Sequence, residues 1–520
     1  RSKRGLPISC YLNYIDDTAE GLVNNLSETN WLSMYGGGVG IGFGIRSADD
    51  KSTGMMPHLK MYDASSLAYR QGRTRRGSYA AYLDIDHPDI ILFLEMRKPT
   101  GDQNFRCLNL HHGINISNKF MQLIEDSMTD PNVDDSWHLR DPHTKEIKET
   151  ISARDMWQRI LEMRMQTGEP YLHFIDTSNE KMPVWLKQLG LEINQSNLCS
   201  EIILPTNKER TAVCCLSSLN LEYFDEWSKD KGFLKDVLEM LDNTLSKFIE
   251  DAPDSISRAK YSAMRERSVG VGALGFHAYL QKKGMVFESA LAKSSNMKMF
   301  RHIRSGLDSA NLELGRERGE APDAQGTGLR CSHVMAIAPN ASSSIIMGNT
   351  SPSIEPWRAN AYRQDTLSGS FLNKNKFLDK LIKDKCEDNV NLHYDRIWSS
   401  IIANDGSVQH LRCLDDQEKE IYKTSMEIDQ RWVIEHAADR QEYIDQSQSL
   451  NVFFRPDANI TYLHAVHFMA WKKGVKTMYY CRSEKIGKAD KVSRKIEREI
   501  IQEIDMEALA SGEECLACEG

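Results

Sequence analysis

Between positions 36 and 44 of this 520-residue chain, Gly36-Gly37-Gly38-Val39-Gly40-Ile41-Gly42-Phe43-Gly44 places a glycine at every second residue. Successive side chains of a strand point to opposite faces, so a strand here has one face of Val39, Ile41 and Phe43 and another with no side chains. Glycine inside a strand costs conformational entropy and forgoes packing, and the run makes sense where another backbone or a ligand comes very close. It is not a dinucleotide fingerprint. A Gly-x-Gly-x-x-Gly does stand at Gly270-Val271-Gly272-Ala273-Leu274-Gly275. The residues before it, Arg258-Ala259-Lys260-Tyr261-Ser262-Ala263-Met264-Arg265-Glu266-Arg267, are too charged for the buried first strand of a dinucleotide-binding unit.

A second local pattern is chemical. Asn197-Leu198-Cys199-Ser200-Glu201 sets an amide, a thiol and a carboxylate at alternate positions. In an extended strand all three point one way, so a thiol, a hydrogen-bonding amide and a base can act on one bound molecule. The same pattern fits a polar strand end facing solvent, and the rest of the chain decides between them. A hydrophobic content of 40% with 27% charged residues gives a globular chain of one very large domain or two to four ordinary ones. Eleven cysteines are too few and too irregularly spaced for a secreted disulfide scaffold, which leaves individual thiols as redox candidates. The one Cys-x-x-Cys, Cys515 and Cys518, lacks the second pair or the histidine motif of a zinc site, so no metal site is expected. A net charge of −9 offers no footprint for tracking DNA. No apolar run approaches the roughly 20 residues of a membrane span. A soluble, cytoplasmic protein that partners neither nucleic acid nor membrane is expected.

Short apolar segments at 8–12, 211–216, 334–338 and 451–454 read as strands and alternate with helical stretches, among them 17 to about 35. Leu234, Val237, Leu238, Leu241, Leu245 and Phe248 keep the spacing of an amphipathic helix packed on a core. This is the pattern of an α/β architecture with parallel strands. After the strand at 334–338, Pro339-Asn340-Ala341-Ser342-Ser343-Ser344 either caps a helix or holds a diphosphate on free N–H groups and hydroxyls. From 482 to 520 aromatics are absent and charge is dense, which predicts a mobile tail with a helical segment. It ends in Glu513-Glu514-Cys515-Leu516-Ala517-Cys518-Glu519-Gly520, two thiols on a tether able to exchange with a disulfide elsewhere.

Several motifs, in order, carry a family resemblance: Gln195-Ser196-Asn197-Leu198-Cys199-Ser200-Glu201-Ile202, Ala212-Val213-Cys214, the glycine segment 267–275, Ser353-Ile354-Glu355-Pro356, Arg440 with Asp445-Gln446-Ser447-Gln448-Ser449-Leu450-Asn451, and Lys476-Thr477-Met478-Tyr479-Tyr480. From Ser9-Cys10 to the terminal Cys-Leu-Ala-Cys the chain resembles the catalytic large subunit of class I ribonucleotide reductases. The resemblance implies a ten-stranded α/β barrel over 1–481, made of two antiparallel halves of five parallel strands around a central finger loop, with the flexible tail over 482–520. It implies reduction of ribonucleoside diphosphates to 2′-deoxyribonucleoside diphosphates for DNA synthesis. Cys199 would become a thiyl radical and take the ribose 3′ hydrogen, Glu201 would take the 3′ hydroxyl proton, and Asn197 would bond the sugar hydroxyls. Cys10 and Cys214 match the pair that supplies two electrons and ends as a disulfide. Cys215 is a rival by adjacency, but only one of the two faces the site, and the motif selects Cys214. Cys107, Cys331, Cys386 and Cys413 match no such motif. Tyr479 and Tyr480 match the relay that carries an electron and proton from a radical-generating, metal-containing small subunit. Ser9, Ala341, Ser342, Ser343 and Ser344 match substrate and diphosphate contacts. Asp17, Arg46 and Arg75, the last in the arginine-rich stretch 72–77, match the site for ATP or dNTP effectors. Cys515 and Cys518 match the tail thiols, re-reduced by thioredoxin or glutaredoxin. No covalently bound cofactor is implied, and a homodimer is the family expectation.

The resemblance starts just before Cys10, without the family's amino-terminal helical region and ATP cone, so the sequence is expected to be either a truncated piece or, by preference, one part of a divided subunit completed by a separate amino-terminal large-subunit chain. The stretch Ser47-Ala48-Asp49-Asp50-Lys51-Ser52-Thr53-Gly54 is short for the family. The competing reading is a non-catalytic nucleotide-binding or assembly module that retains the barrel. The presence of every cysteine, Asn197, Glu201 and both tyrosines argues against it. A cobalamin-dependent reductase would leave the tyrosine pair without a role.

Overall fold

The computed structural model describes residues 5–69, 77–366 and 369–483. Eight strands pair into one sheet: β1 (Cys10–Ile15), β2 (Gly38–Phe43), β3 (Tyr79–Asp84), β4 (His111–Ile116), β5 (Tyr171–Phe174), β6 (Ala212–Asn220), β7 (Val269–Leu274) and β8 (Thr477–Met478). Their spatial order is β8-β5-β4-β3-β2-β1-β6-β7. Neighbours within β1 to β5 run parallel, as do β6 and β7. The pairs β1 with β6 and β5 with β8 are antiparallel. Two parallel blocks therefore run in opposite senses and meet at antiparallel seams, giving a curled mixed sheet.

Ten strands were expected, and among the described residues eight form this sheet. Segments 333–337 and 446–451 run alongside with scattered backbone bonds only. The N–H groups of Val269 and Val271 donate to the carbonyls of His333 and Val334 at 3.1 and 2.8 Å, and the Tyr479 N–H reaches the Leu450 carbonyl at 2.8 Å. Ile337 and Gln448 form an isolated parallel bridge. Side chains take the remaining ladder positions. The Asp445 carboxylate accepts the N–H groups of Val334 and Met335, both at 2.9 Å, and the Gln446 amide donates to the Val269 carbonyl at 3.1 Å. Side chains thus stand in for several of the backbone partners of a regular ladder, and the segments stay irregular.

Helices cover the sheet, as parallel strands require. Helix α1 (Ala19–Met34) opens where the Thr18 hydroxyl accepts the Gly21 N–H at 3.0 Å. Helix α2 (Phe233–Asp251) buries Leu234, Leu238, Leu241, Leu245 and Phe248 on one stripe. Helix α3 (Ser257–Glu266) comes before β7, with Arg267 turning left-handed at φ 48° between them. The Gly-x-Gly-x-x-Gly therefore follows a helix and forms a strand, the reverse of a dinucleotide turn.

The glycines do what a bare strand face allows. A Cβ on Gly40 would lie 2.1 Å from the Ser196 carbonyl oxygen and 2.6 Å from the Asn197 Cα, and one on Gly38 would lie 2.7 Å from Leu198 Cδ2. The chain at 196–198 is thus laid directly on β2. On β7, a Cβ at Gly272 would meet the Ala336 carbonyl oxygen at 2.5 Å, so this glycine admits segment 333–337.

The short strand Val452–Phe454 pairs parallel with Cys481–Ser483, which carries the fold past residue 481. Arg75 and the tail thiols Cys515 and Cys518 lie outside the described residues. No described helix is long and apolar enough to cross a membrane.

Candidate active site

The stretch from Asn197 to Glu201 is not an extended strand. Ser200 adopts φ 66°, a left-handed conformation uncommon for a residue with a Cβ, and its N–H points back to the Asn197 carbonyl at 3.4 Å. Asn197 closes the loop from both sides: its N–H donates to the Ile202 carbonyl at 3.2 Å, and its Oδ1 accepts the Ile202 N–H at 3.0 Å. Cys199 therefore sits at a turn, with Asn197 and Glu201 on its two limbs. The alternation that suggested a strand places the three groups about one tip instead.

Neighbouring strands fix the loop. Gln195 Nε2 donates to the Asn13 carbonyl at 2.7 Å, and the Tyr82 hydroxyl donates to the Asn197 carbonyl at 2.7 Å. Thr477 Oγ1 donates to the Ser200 carbonyl at 2.7 Å, and the Ser447 N–H donates to the Glu201 carbonyl at 2.9 Å. Burial pushes the Glu201 carboxyl up to about 7, a rise that the Asn197 amide and the Ser449 hydroxyl beside it only partly oppose. Asn197 Nδ2 is buried without a partner of full hydrogen-bonding geometry among the described residues.

Cys10 and Cys214 are direct cross-strand partners in the antiparallel pairing of β1 with β6. Facing residues of such a pair have Cα atoms about 4.5 or 5.5 Å apart, and both values lie within the span a disulfide bridges. The two cysteines pack with Leu12, Ala212 and the loop residues Ile202 and Leu204. Cys215 points the other way into the main core, as alternation requires. Burial pushes the Cys214 thiol well above its ordinary range, and Gln446 Nε2 donates to its sulfur at 3.4 Å.

Cys199 also packs into an aromatic cluster. Tyr82, Tyr171 and Tyr479 form its buried part, with Leu198, Cys199 and Tyr480 against it. Ring centroids are 4.3 Å apart for Tyr479 and Tyr480, 4.7 Å for Tyr171 and Tyr479, and 5.1 Å for Tyr171 and Tyr480. Burial, then the Cys199 thiol beside it, pushes the Tyr479 phenol well above its ordinary range, and burial pushes Tyr480 up to about 12. Tyr480 leads outward to the partly exposed His111, its hydroxyl 3.4 Å from His111 Nδ1, which lies 2.7 Å from the buried Glu169 carboxylate.

The other positions expected to bind ligands fall into two groups. Ala341, Ser342 and Ser343 are exposed at the start of the short helix Ala341–Ile346, whereas Ser344 is buried and gives its hydroxyl hydrogen to the Ala341 carbonyl at 2.9 Å. Ser9 is exposed, with Oγ 3.8 Å from Cys10 Sγ. Asp17 and Arg46 form an ion pair at 2.7 Å, and His143 Nε2 lies 2.9 Å from the same carboxylate oxygen.

Tyr82, Tyr171, Gln446 and Ser449 were not singled out in the sequence. Ser449 and Gln446 lie inside a quoted motif, but nothing in their spacing gave either a partner. Tyr82 and Tyr171 are aromatics in buried strands that carry other aromatics, which sequence patterning cannot separate from core.

The family model for the ribonucleotide reductase barrel domain matches residues 8–327 and 322–481. The chain belongs to the ribonucleotide reductase large-subunit family. It is 51% identical over 539 residues to the ribonucleoside-diphosphate reductase large subunit of Invertebrate iridescent virus 3, covering 95% of this chain and 85% of that one. The ribonucleoside-diphosphate reductase large chain of Cryptosporidium parvum is 32% identical, covering 92% of this chain and 66% of the relative. Among solved structures, the Actinobacillus ureae class Id ribonucleotide reductase alpha subunit superposes with a TM-score of 0.81 at 35% identity, covering 93% and 85% of the two chains. In this reductase chain, the loop on β2, the cysteine pair at the β1/β6 seam and the tyrosine pair after β8 lie within the matched barrel.

Proposed function

We propose that this chain reduces ribonucleoside diphosphates to their 2′-deoxy forms by a thiyl-radical route, with a radical-generating small subunit as partner. The observation that carries this reading is the Cys199 thiol, held at a loop tip against Tyr479 and between Asn197 and Glu201. Both relay phenols are raised and so protonated near pH 7. A buried phenol that loses an electron alone leaves an unpaired cation, so each step moves the electron with its proton. Tyr480 is oxidised from the partner side, Tyr479 reduces Tyr480, and Cys199 gives its hydrogen to Tyr479. The resulting sulfur radical takes the ribose 3′ hydrogen, a carbon-bound hydrogen that no side-chain base removes at neutral pH. Glu201 takes the 3′ hydroxyl proton, and the unpartnered Asn197 amide nitrogen is a donor for the sugar hydroxyls.

The 2′ hydroxyl then leaves as water. Cys10 and Cys214 supply two electrons and two hydrogens, one to C2′ and one to the departing water, and close to a disulfide, and Cys199 returns the hydrogen to C3′ and recovers the radical. The raised Cys214 thiol stays protonated until that step, suiting a hydrogen donor better than a thiolate nucleophile. Ser9 and the start of the helix Ala341–Ile346 hold the diphosphate, and the Asp17–Arg46 pair with Arg75 reads the nucleotide effector. Thiol exchange with Cys515 and Cys518, then thioredoxin or glutaredoxin, restores the pair. A homodimer is the working assembly.

The test is conversion of CDP to dCDP by the chain with a radical-generating small subunit and dithiothreitol. Product is expected from the wild type and from Cys215→Ser. Cys10→Ser and Cys214→Ser are expected to lose about 10³-fold or more, because no second sulfur completes the disulfide. Equal loss in Cys214→Ser and Cys215→Ser would overturn the pairing. Absence of wild-type product with every partner verified active would favour the non-catalytic module.

A further inference from the structure

One buried hydroxyl lies between the loop tip and one of its limbs. Ser449 Oγ is 2.5 Å from the Cys199 carbonyl oxygen and 3.1 Å from Glu201 Oε2. The residue is fully buried and its N–H is spent on the Ile337 carbonyl at 2.9 Å, so the hydroxyl is held where it is. A hydroxyl has one hydrogen to donate and two lone pairs to accept with. It therefore cannot serve both oxygens at once as a donor. While Glu201 is ionised, its carboxylate is the stronger acceptor and draws the hydrogen. Once Glu201 carries a proton on Oε2, the acid O–H becomes the donor, Ser449 Oγ accepts it, and the serine hydrogen turns to the Cys199 carbonyl.

We propose that Ser449 is a positioning residue that ties the protonation of Glu201 to the hold on the Cys199 backbone. This rests on Glu201 acting as the base in the proposed function. Before the 3′ hydroxyl proton is taken, the carboxylate competes with the Cys199 carbonyl for the Ser449 hydrogen, which stabilises the carboxylate and weakens the hold on the carbonyl. After the transfer, the same hydroxyl fastens the loop tip in the state that follows. Only O–H hydrogens change partners, and no electron moves.

Few other groups compete for this role. The titratable side chains that face Glu201 are Cys199 on its own loop, Cys214 on β6, Tyr82 on β3 and Tyr479 after β8. Cys214, Tyr82 and Tyr479 are all raised by burial, so none of these three changes charge near pH 7. The Asn197 amide is the other neighbour that opposes the rise at Glu201, and an amide N–H can donate a hydrogen but not relay one.

The experiment follows kcat for CDP reduction against pH in the wild type, Ser449→Ala and Ser449→Thr, with the full chain, the small subunit and dithiothreitol. The wild-type acidic limb is expected near the Glu201 value of about 7. Loss of a donor to a carboxylate raises its pKa, so the alanine limb should move up by about one pH unit, with kcat at high pH falling about tenfold. Threonine, which keeps the hydroxyl, should return the limb to the wild-type position. A role confined to packing would lower kcat without moving the limb. The infrared carboxyl band lost in Glu201→Gln gives the same midpoint without turnover and applies to a variant too impaired to assay. An unmoved midpoint in Ser449→Ala by both readouts overturns the proposal, even if Glu201→Gln is inactive and the base assignment stands. Full activity in Glu201→Gln overturns both.

Discussion

Replacing Cys199 by serine is expected to abolish deoxynucleotide formation, a loss of about 10⁴-fold or more, while leaving the fold intact. The side chain is half-buried at the loop tip, and serine differs from it by one atom, so neither cavity nor clash arises. The loop is anchored at Gln195, Asn197 and Ser200 through hydrogen bonds with Asn13, Tyr82 and Thr477 that do not involve the thiol. What changes is the chemistry. A serine O–H does not give up its hydrogen to a tyrosyl radical as a thiol does, so the relay ends at Tyr479 with no radical on the substrate. The measurement is a thiol count on the chain mixed with CDP and small subunit but no reductant. The wild type should lose two thiols for each dCDP formed, through Cys10 and Cys214; the serine variant should lose none. Oxidation of the Cys10–Cys214 pair at the wild-type rate in the variant would separate pair chemistry from Cys199 and overturn the radical role.

What the sequence made legible divides along physical lines. Motifs whose spacing matches a repeating backbone geometry transferred well. The glycines at alternate positions from 36 to 44 predicted a bare strand face and a close approach, and β2 with segment 196–198 laid on it is that arrangement. Strand alternation implied that only one of Cys214 and Cys215 faces the site, the family motif selected Cys214, and Cys214 is the register partner of Cys10. The helical stripe through Leu238 and Leu245 is the buried face of α2. Where side chains replace backbone partners, the sequence was silent. Segment 334–338 is apolar enough to read as a strand, but the Asp445 carboxylate takes ladder positions there that pattern reading assigns to backbone. The Asn197 to Glu201 alternation was read as a strand because a left-handed Ser200 leaves no trace in residue type. Tyr171 on β5 and Ser449 on the segment 446–451 lie far from Cys199 in sequence, and only the curled sheet brings them to it.

The second large effect falls on a residue with no side chain. Gly40→Ala is expected to lower kcat by about 10²-fold and to reduce stability by about 1–3 kcal/mol, although alanine adds one methyl group. Its Cβ would lie 2.1 Å from the Ser196 carbonyl oxygen, 2.6 Å from the Asn197 Cα and 3.0 Å from the Asn197 carbonyl carbon. All three are backbone atoms, so no rotamer change relieves the contact. Either β2 or the loop must move, and β2 is held between β1 and β3 by parallel ladders on both edges. The loop is the softer partner, being tied largely through the side chains of Gln195, Asn197 and Tyr82. A shift of about 1 Å there displaces Cys199 from Tyr479, and misplacement of that order is enough for the stated loss of rate. Gly232→Ala is the control. Its Cβ would meet nothing nearer than Asp230 Oδ1 at 3.5 Å, and its φ of −85° suits any residue, so activity and melting temperature should be unchanged. The readouts are kcat for CDP reduction together with thermal unfolding. A Gly40→Ala chain that melts lower yet turns over at the wild-type rate would show that Cys199 is positioned independently of the bare face of β2.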